Sequence, residues 1–173
     1  MWRSKKTFST LVLGALLAAI LGLLLPAPSA LASGDDYPYR AAAGNPSDPW
    51  GFTERQCVSF VAWRLKQRSH PISNSSQHWG SAYNWDNAAA AMHKTITHTP
   101  KVGAIAQWNQ NEKSAYYPSG GGVGTIQAGP QGHVAYVSKV YSDGSVQIEQ
   151  YNMSGNRAYS IMRVKAPRYI YDY

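Results

Sequence analysis

The sequence predicts an α+β domain, with helices first and an antiparallel sheet after them. Three observations carry that expectation. Cys57, Val58, Val61, Ala62 and Leu65 recur at helical spacing. After Pro100 the chain changes to β-branched and aromatic alternation, seen in 102–108, 133–141, 146–152 and 159–164. Between two of these runs, Ser142-Asp143-Gly144-Ser145 has the form of a hairpin turn, because Asp-Gly accepts the positive φ such turns need. Helices and strands segregated along a chain build a sheet covered by helices on one side.

The elements follow in order. Arg3, Lys5 and Lys6 precede an apolar run over 11–25, then Pro26-Ala27-Pro28-Ser29 and the small-x-small triplet Ala30-Leu31-Ala32. This is the layout of a secretory signal peptide over 1–32, cleaved after Ala32. The apolar run falls short of the roughly 20 residues that cross a bilayer. Cleavage removes three basic and no acidic residues, leaving 141 residues with a formal charge of +4. Residues 33–48, polar with Gly and Pro, read as a flexible entry segment, and 49–173 as the catalytic domain. Thr53-Glu54-Arg55-Gln56 has the form of a capping box with Thr53 as N-cap, which predicts a helix over 54–67. Ala88 to Ala91 predict a second helix over 86–93. Residues 109–131 hold five Gly and two Pro and read as a long surface loop. Trp79 and Trp85 are expected in the core. Trp108 and the Tyr116-Tyr117 pair, beside the loop, are expected to stack on a glycan or peptide.

Composition narrows the function. With 44% hydrophobic and 12% aromatic residues, the 173-residue chain can bury a core of its own. One cysteine excludes an internal disulfide framework and a cysteine-rich zinc site. No H-E-x-x-H or paired-cysteine spacing is present, so neither metal nor cofactor is expected. Ser119-Gly120-Gly121-Gly122-Val123-Gly124 lacks the strand, helix and Lys of a phosphate-binding loop. The modest, scattered positive charge argues against nucleic acid and suits an anionic cell envelope. The expected product is a monomer, secreted or wall-associated, with no stable membrane association after cleavage.

Cys57 carries the candidate chemistry. In the first turn of a helix, unpaired N–H groups and the positive dipole end stabilise a thiolate, and Arg55 adds positive charge nearby. A lone thiol on an exported protein is a liability unless it is used. A thiolate nucleophile needs a base. Of five histidines, His133 stands out because it opens the strand Gly132-His133-Val134-Ala135-Tyr136-Val137. A third group should orient the imidazole. The next strand offers Glu149-Gln150-Tyr151-Asn152. Alternation puts Val146, Ile148, Gln150 and Asn152 on one face, so an inward Gln150 goes with an outward Glu149.

These blocks resemble the CHAP family, the cysteine, histidine-dependent amidohydrolases/peptidases. The resemblance rests on Gln56-Cys57-Val58-Ser59-Phe60-Val61-Ala62, Trp79-Gly80-Ser81-Ala82 with Trp85, Val102-Gly103-Ala104-Ile105-Ala106, Gly132 to Val137, and Asp143-Gly144-Ser145-Val146 leading to Glu149-Gln150-Tyr151-Asn152. They run in family order over about residues 50–169. The resemblance implies a papain-like α+β fold, peptidoglycan as substrate, Cys57 as nucleophile and His133 as general base. Many members carry Glu two residues before Asn on the last catalytic strand, where this chain has Gln150. Either Gln150 orients His133, the expectation that alternation favours, or a bulge turns Glu149 inward. The rival readings are a catalytically inactive wall-binding module on this fold and a secreted cysteine peptidase acting on proteins.

Overall fold

A computed structural model describes Met1 and residues 34–171. The expected signal peptide lies outside the described residues. The chain divides into two units, Met1–Ser33 and Gly34–Tyr173, and the architecture is that of the second. Its helices are α1 (Cys57–Lys66), α2 (Asn74–Gln77) and α3 (Trp85–Ala91), with a 3₁₀ turn at Ala82–Asn84 before α3. Eight strands follow: β1 (Thr95–Thr97), β2 (Ile105–Trp108), β3 (Lys113–Tyr117), β4 (Gly124–Gln127), β5 (His133–Val140), β6 (Val146–Tyr151), β7 (Tyr159–Lys165) and β8 (Arg168–Tyr171). They form one antiparallel sheet in the order β1-β8-β2-β5-β6-β7-β3-β4. This is the expected α+β architecture.

Helix α1 packs across β5 and β6. Phe60, Leu65, Trp79, Trp85, Val134, Tyr136 and Tyr151 fill the layer between helices and sheet. Ala106, Trp108, Ala135, Val137, Ile148 and Val164 fill a second core on the opposite face. The central strands β5 and β6 are therefore buried on both sides. That is why they read as near-continuous apolar runs.

The helix start differs from the expected one. Thr53 caps nothing; it forms a β-bridge with Ser47, and the Glu54 N–H donates to the Pro46 carbonyl at 3.0 Å. Arg55 then takes a left-handed φ of 58°, which no helix tolerates, and Gln56 is the extended N-cap. This closed loop holds the chain out of helical geometry until Cys57. The second helix is also displaced, to Trp85–Ala91, and ends before a left-handed His93.

The stretch 109–131 is not one loop, since it contains the β3–β4 hairpin, which extends the sheet beyond β7. β4 is an edge strand and β3 the next one in; both are half-buried or exposed, with glycine between them, so the alternation that marks buried strands is weak there. Trp108, expected to face a ligand, is fully buried, and its indole N–H donates to Ser114 Oγ at 2.8 Å. The expected flexible entry is anchored as well. Tyr37 is wholly buried against Phe60, Trp63 and Tyr151. Tyr151 donates its hydroxyl hydrogen to the Asp35 carboxylate at 2.6 Å, and Arg64 pairs with Asp36 at 2.9 Å.

Candidate active site

With Gln56 as N-cap, Cys57 is the first helical residue of α1, three positions nearer the helix end than a Thr53 cap implies. The intrahelical ladder begins with the Phe60 N–H on the Gln56 carbonyl at 3.1 Å, so the N–H groups before it are free of the ladder. The backbone N–H groups of Val134, Val58 and Cys57 itself lie near enough to the Cys57 sulfur to pull its pKa down. Val134 is the neighbour of His133, so the sulfur sits against the start of β5. Sequence reasoning found both residues, and the fold brings them together.

Two buried devices hold this junction. Ser59, one turn into α1, donates to Asp48 Oδ2 and lies 2.5 Å from the Tyr37 hydroxyl. Asp48 Oδ1 in turn accepts the Trp50 and Phe52 N–H groups, each at 2.9 Å. The loop over 48–52 is thereby tied to the helix that carries Cys57. On the other side, Gly132 has φ +69°, and a Cβ there would lie 2.6 Å from the Trp108 carbonyl oxygen and from the Tyr83 nitrogen. Only glycine lets the chain pass this close and turn His133 into the sheet.

His133 is 3% exposed and stands opposite Trp108 in the β2–β5 register, with ring centroids 5.9 Å apart. Burial lowers its pKa to about 3, and the neighbouring Gln150 side chain opposes the shift only in part, while the buried Nε2 has no hydrogen-bond partner among the described residues. The Gln150 amide is held in place, because its Nε2 donates to Ser160 Oγ and its Oε1 accepts the Met153 N–H at 2.9 Å. Ser160 is a supporting residue that the sequence did not disclose.

Glu149 is buried too, but on the helix-bearing face. It does not point outward, because α1 covers that face of β6 and brings Arg64 within 2.5 Å of its Oε2. Burial pushes its carboxyl up against the opposing pull of Arg64. The bulge between β5 and β6 lies at Val137/Lys139, not at Glu149. Asn152 also departs from expectation. At φ 65° it ends β6, its Oδ1 accepts the Arg157 N–H at 2.7 Å, and its Nδ2 donates to Gln56 Oε1 at 2.6 Å. It therefore holds the residue before the cysteine, not the histidine.

The electrostatics differ from a simple helix-end thiolate. Burial pushes the Cys57 thiol above its ordinary value, outweighing the three backbone N–H groups that pull it down. Arg55 does not help, because its guanidinium is turned to the carbonyls of Ala42 at 3.2 Å and Arg157 at 3.1 Å. Burial thus favours the neutral form of each group taken by itself. In front of Cys57 lies a cavity of about 380 Å³, lined among others by Phe52, Thr53, Gln56, Asn74 and Ser81. Among the described residues, no group of three or more His, Cys, Asp or Glu stands close enough to hold a metal ion.

The family model for the CHAP domain matches residues 47–152. The chain is 39% identical over 101 residues to staphylococcal secretory antigen SsaA of Staphylococcus aureus, covering 58% of this chain and 30% of that protein. It is 37% identical over 112 residues to N-acetylmuramoyl-L-alanine amidase sle1 of Staphylococcus epidermidis, covering 62% of this chain and 28% of that one. It thus spans less than a third of either relative. A crystal structure of N-acetylmuramoyl-L-alanine amidase from Staphylococcus aureus superposes with a TM-score of 0.52 at 30% identity, covering 80% of this chain and 37% of that one.

Proposed function

The chain belongs to the CHAP domain family, and from that premise we propose that it hydrolyses amide bonds of peptidoglycan through Cys57. The observation that carries this reading is the junction itself: Cys57 begins α1 at the edge of a cavity, against the start of β5 where His133 is backed by Gln150. The target is the N-acetylmuramoyl–L-alanine amide or a peptide bond of the stem or cross-bridge. The names of the amidase relatives support that class. The basic, apolar, A-x-A order of 1–32 and a relative named a secretory antigen support action outside the cell or at the wall.

The chemistry follows from the neutral forms of the two groups. As Sγ attacks the carbonyl, the thiol proton passes to the His133 imidazole, and Gln150 holds the ring while it becomes cationic. His133 then returns the proton to the leaving amine, and water cleaves the thioester with the same base. The oxyanion meets the Cys57 backbone N–H at the helix start. Gln56 supplies a second donor, because its Oε1 is occupied by Asn152 and its Nε2 has no partner among the described residues.

Mass spectrometry of fragments released from purified peptidoglycan tests the reading. Peptides with a new N-terminal L-alanine and sugar strands freed of peptide identify amidase action, and shortened stem peptides identify endopeptidase action. Failure of the folded protein to release either, while it digests casein, would replace it with a peptidase of protein substrates.

The buried histidine also imposes a pH dependence on stability. The unfolded chain takes up a proton near pH 6.5, whereas folded His133 does so only near pH 3. Between these values the unfolded state binds more protons, so stability falls on acidification by up to about 1.4 kcal/mol per pH unit. Urea denaturation at pH 7, 6, 5 and 4 should show that slope, and His133→Ala should reduce it.

A further inference from the structure

A second groove, of about 480 Å³, lies away from Cys57. Its floor is a cross-strand row in which Gln147 stands opposite Arg163 and Arg163 opposite Tyr117, and the row continues beyond the groove to Lys139, opposite Gln147. Residues directly opposite in antiparallel strands share a face. The β5 bulge makes this possible, because the extra residue Ser138 shifts Lys139 onto the face of Gln147. Ser138 also pins that glutamine, accepting from its Nε2 at 3.2 Å. Helix α1 covers the neighbouring Glu149 but leaves this row open, with Ile161 40% exposed beside it. Lys139 is six residues along β5 from His133, about 20 Å at roughly 3.3 Å per residue.

The row is rigid. The Arg163 guanidinium lies over the rings of Tyr117 at 4.9 Å and Tyr141 at 4.2 Å, and it is fixed by Asp143 at 2.8 Å and Ser145 at 2.7 Å. Among the described residues, Tyr117 meets no further ring or cation, and Gln147 Oε1 and the Tyr117 hydroxyl accept or donate no hydrogen bond. An ordered tyrosine ring beside an uncommitted amide oxygen suits the apolar face of a pyranose and the N–H of an acetamido group. The charge balance points the same way. Arg163 is neutralised by Asp143 and Lys139 is stacked on Tyr141 at 4.9 Å, which leaves few free cations for a polyanion.

We infer that this groove is a second, non-catalytic site that holds a glycan strand of N-acetylated sugars. The inference rests on the wall being the substrate, and it gives the domain a grip on insoluble wall separate from the cleft.

The test uses the full chain carrying Cys57→Ala, so that the walls stay intact, sedimented with purified peptidoglycan stripped of phosphate polymers. Tyr117→Ser and Ile161→Arg should each weaken sedimentation about fivefold or more, close to 1 kcal/mol. In the active protein, both should leave turnover of a small soluble muropeptide within about twofold. Circular dichroism checks the fold, and Ile161, already exposed, provides a variant that does not disturb packing. Unchanged sedimentation by both folded variants overturns the inference. So does parent protein that binds only before the phosphate polymers are stripped, which would mean a polyanion site. If the parent sediments through this groove yet the active protein cleaves no muropeptide, the proposed hydrolysis fails while the glycan site stands.

Discussion

Cys57→Ala and His133→Ala are each expected to keep the fold and lose wall hydrolysis by at least about 10³-fold. The reason lies in where the fold puts the two groups. Cys57 occupies the first position of α1, its sulfur against the Val134 N–H, and His133 is the adjacent residue on a strand buried on both faces. The nucleophile's role cannot pass to a second cysteine, because the chain has only one, and of the five histidines it is His133 whose neighbour Val134 meets the sulfur. Release of soluble muropeptide from purified walls, with circular dichroism as the control, measures the effect. Substantial hydrolysis by folded Cys57→Ala would sink the mechanism. The buried thiol adds a signature. Alkylation of Cys57 by iodoacetamide should be slow at pH 6 and rise only above the ordinary thiol range of about 8.5.

Gln150→Ala is expected to lower turnover by roughly 10²- to 10⁴-fold, the range associated with a positioned proton transfer. The side chain faces the imidazole, and its amide is oriented from behind by Ser160. Gln150→Glu should keep activity, since a carboxylate accepts the same ring N–H and steadies the imidazolium by charge. Glu149 should behave differently. Its carboxylate is committed to Arg64, which is wholly buried and among the described residues otherwise has only the half-exposed Asp36 as counter-charge. Glu149→Gln should leave the turnover of folded protein nearly unchanged while costing about 3 kcal/mol of stability, the usual result of stranding a buried charge. Kinetics on one defined muropeptide, together with urea denaturation, separate the two roles. Loss of turnover in Glu149→Gln with Gln150→Ala tolerated would reverse the assignment.

The sequence by itself determined the α+β class, the helix carrying Cys57, the strands around His133 and Gln150, and the Asp143-Gly144 turn. These features are local. Periodicity, the positive φ of Gly144 and the alternation of β6 act over a few residues and need no partner to be recognised. Alternation was enough to put Gln150 rather than Glu149 on the histidine's face. Where contacts beyond the element itself decided the outcome, the structure departs from the expectation at several places. The Thr53 cap failed because Ser47 captures Thr53 in a bridge and Arg55 turns left-handed, which moves Cys57 to the helix tip. Glu149 was expected in solvent, but α1 lies over it and Arg64, 85 residues away, pairs with it. Asn152 reaches back 96 residues to Gln56 and fixes the amide beside Cys57, a contact that no local pattern marks. The stabilised thiolate expected from the helix end gave way to burial, which depends on everything packed around the sulfur. Periodicity reports which face of an element is apolar; only the assembled sheet decides what that face meets, and at this site that sets the burial of Cys57 and His133 and the side chains that surround them.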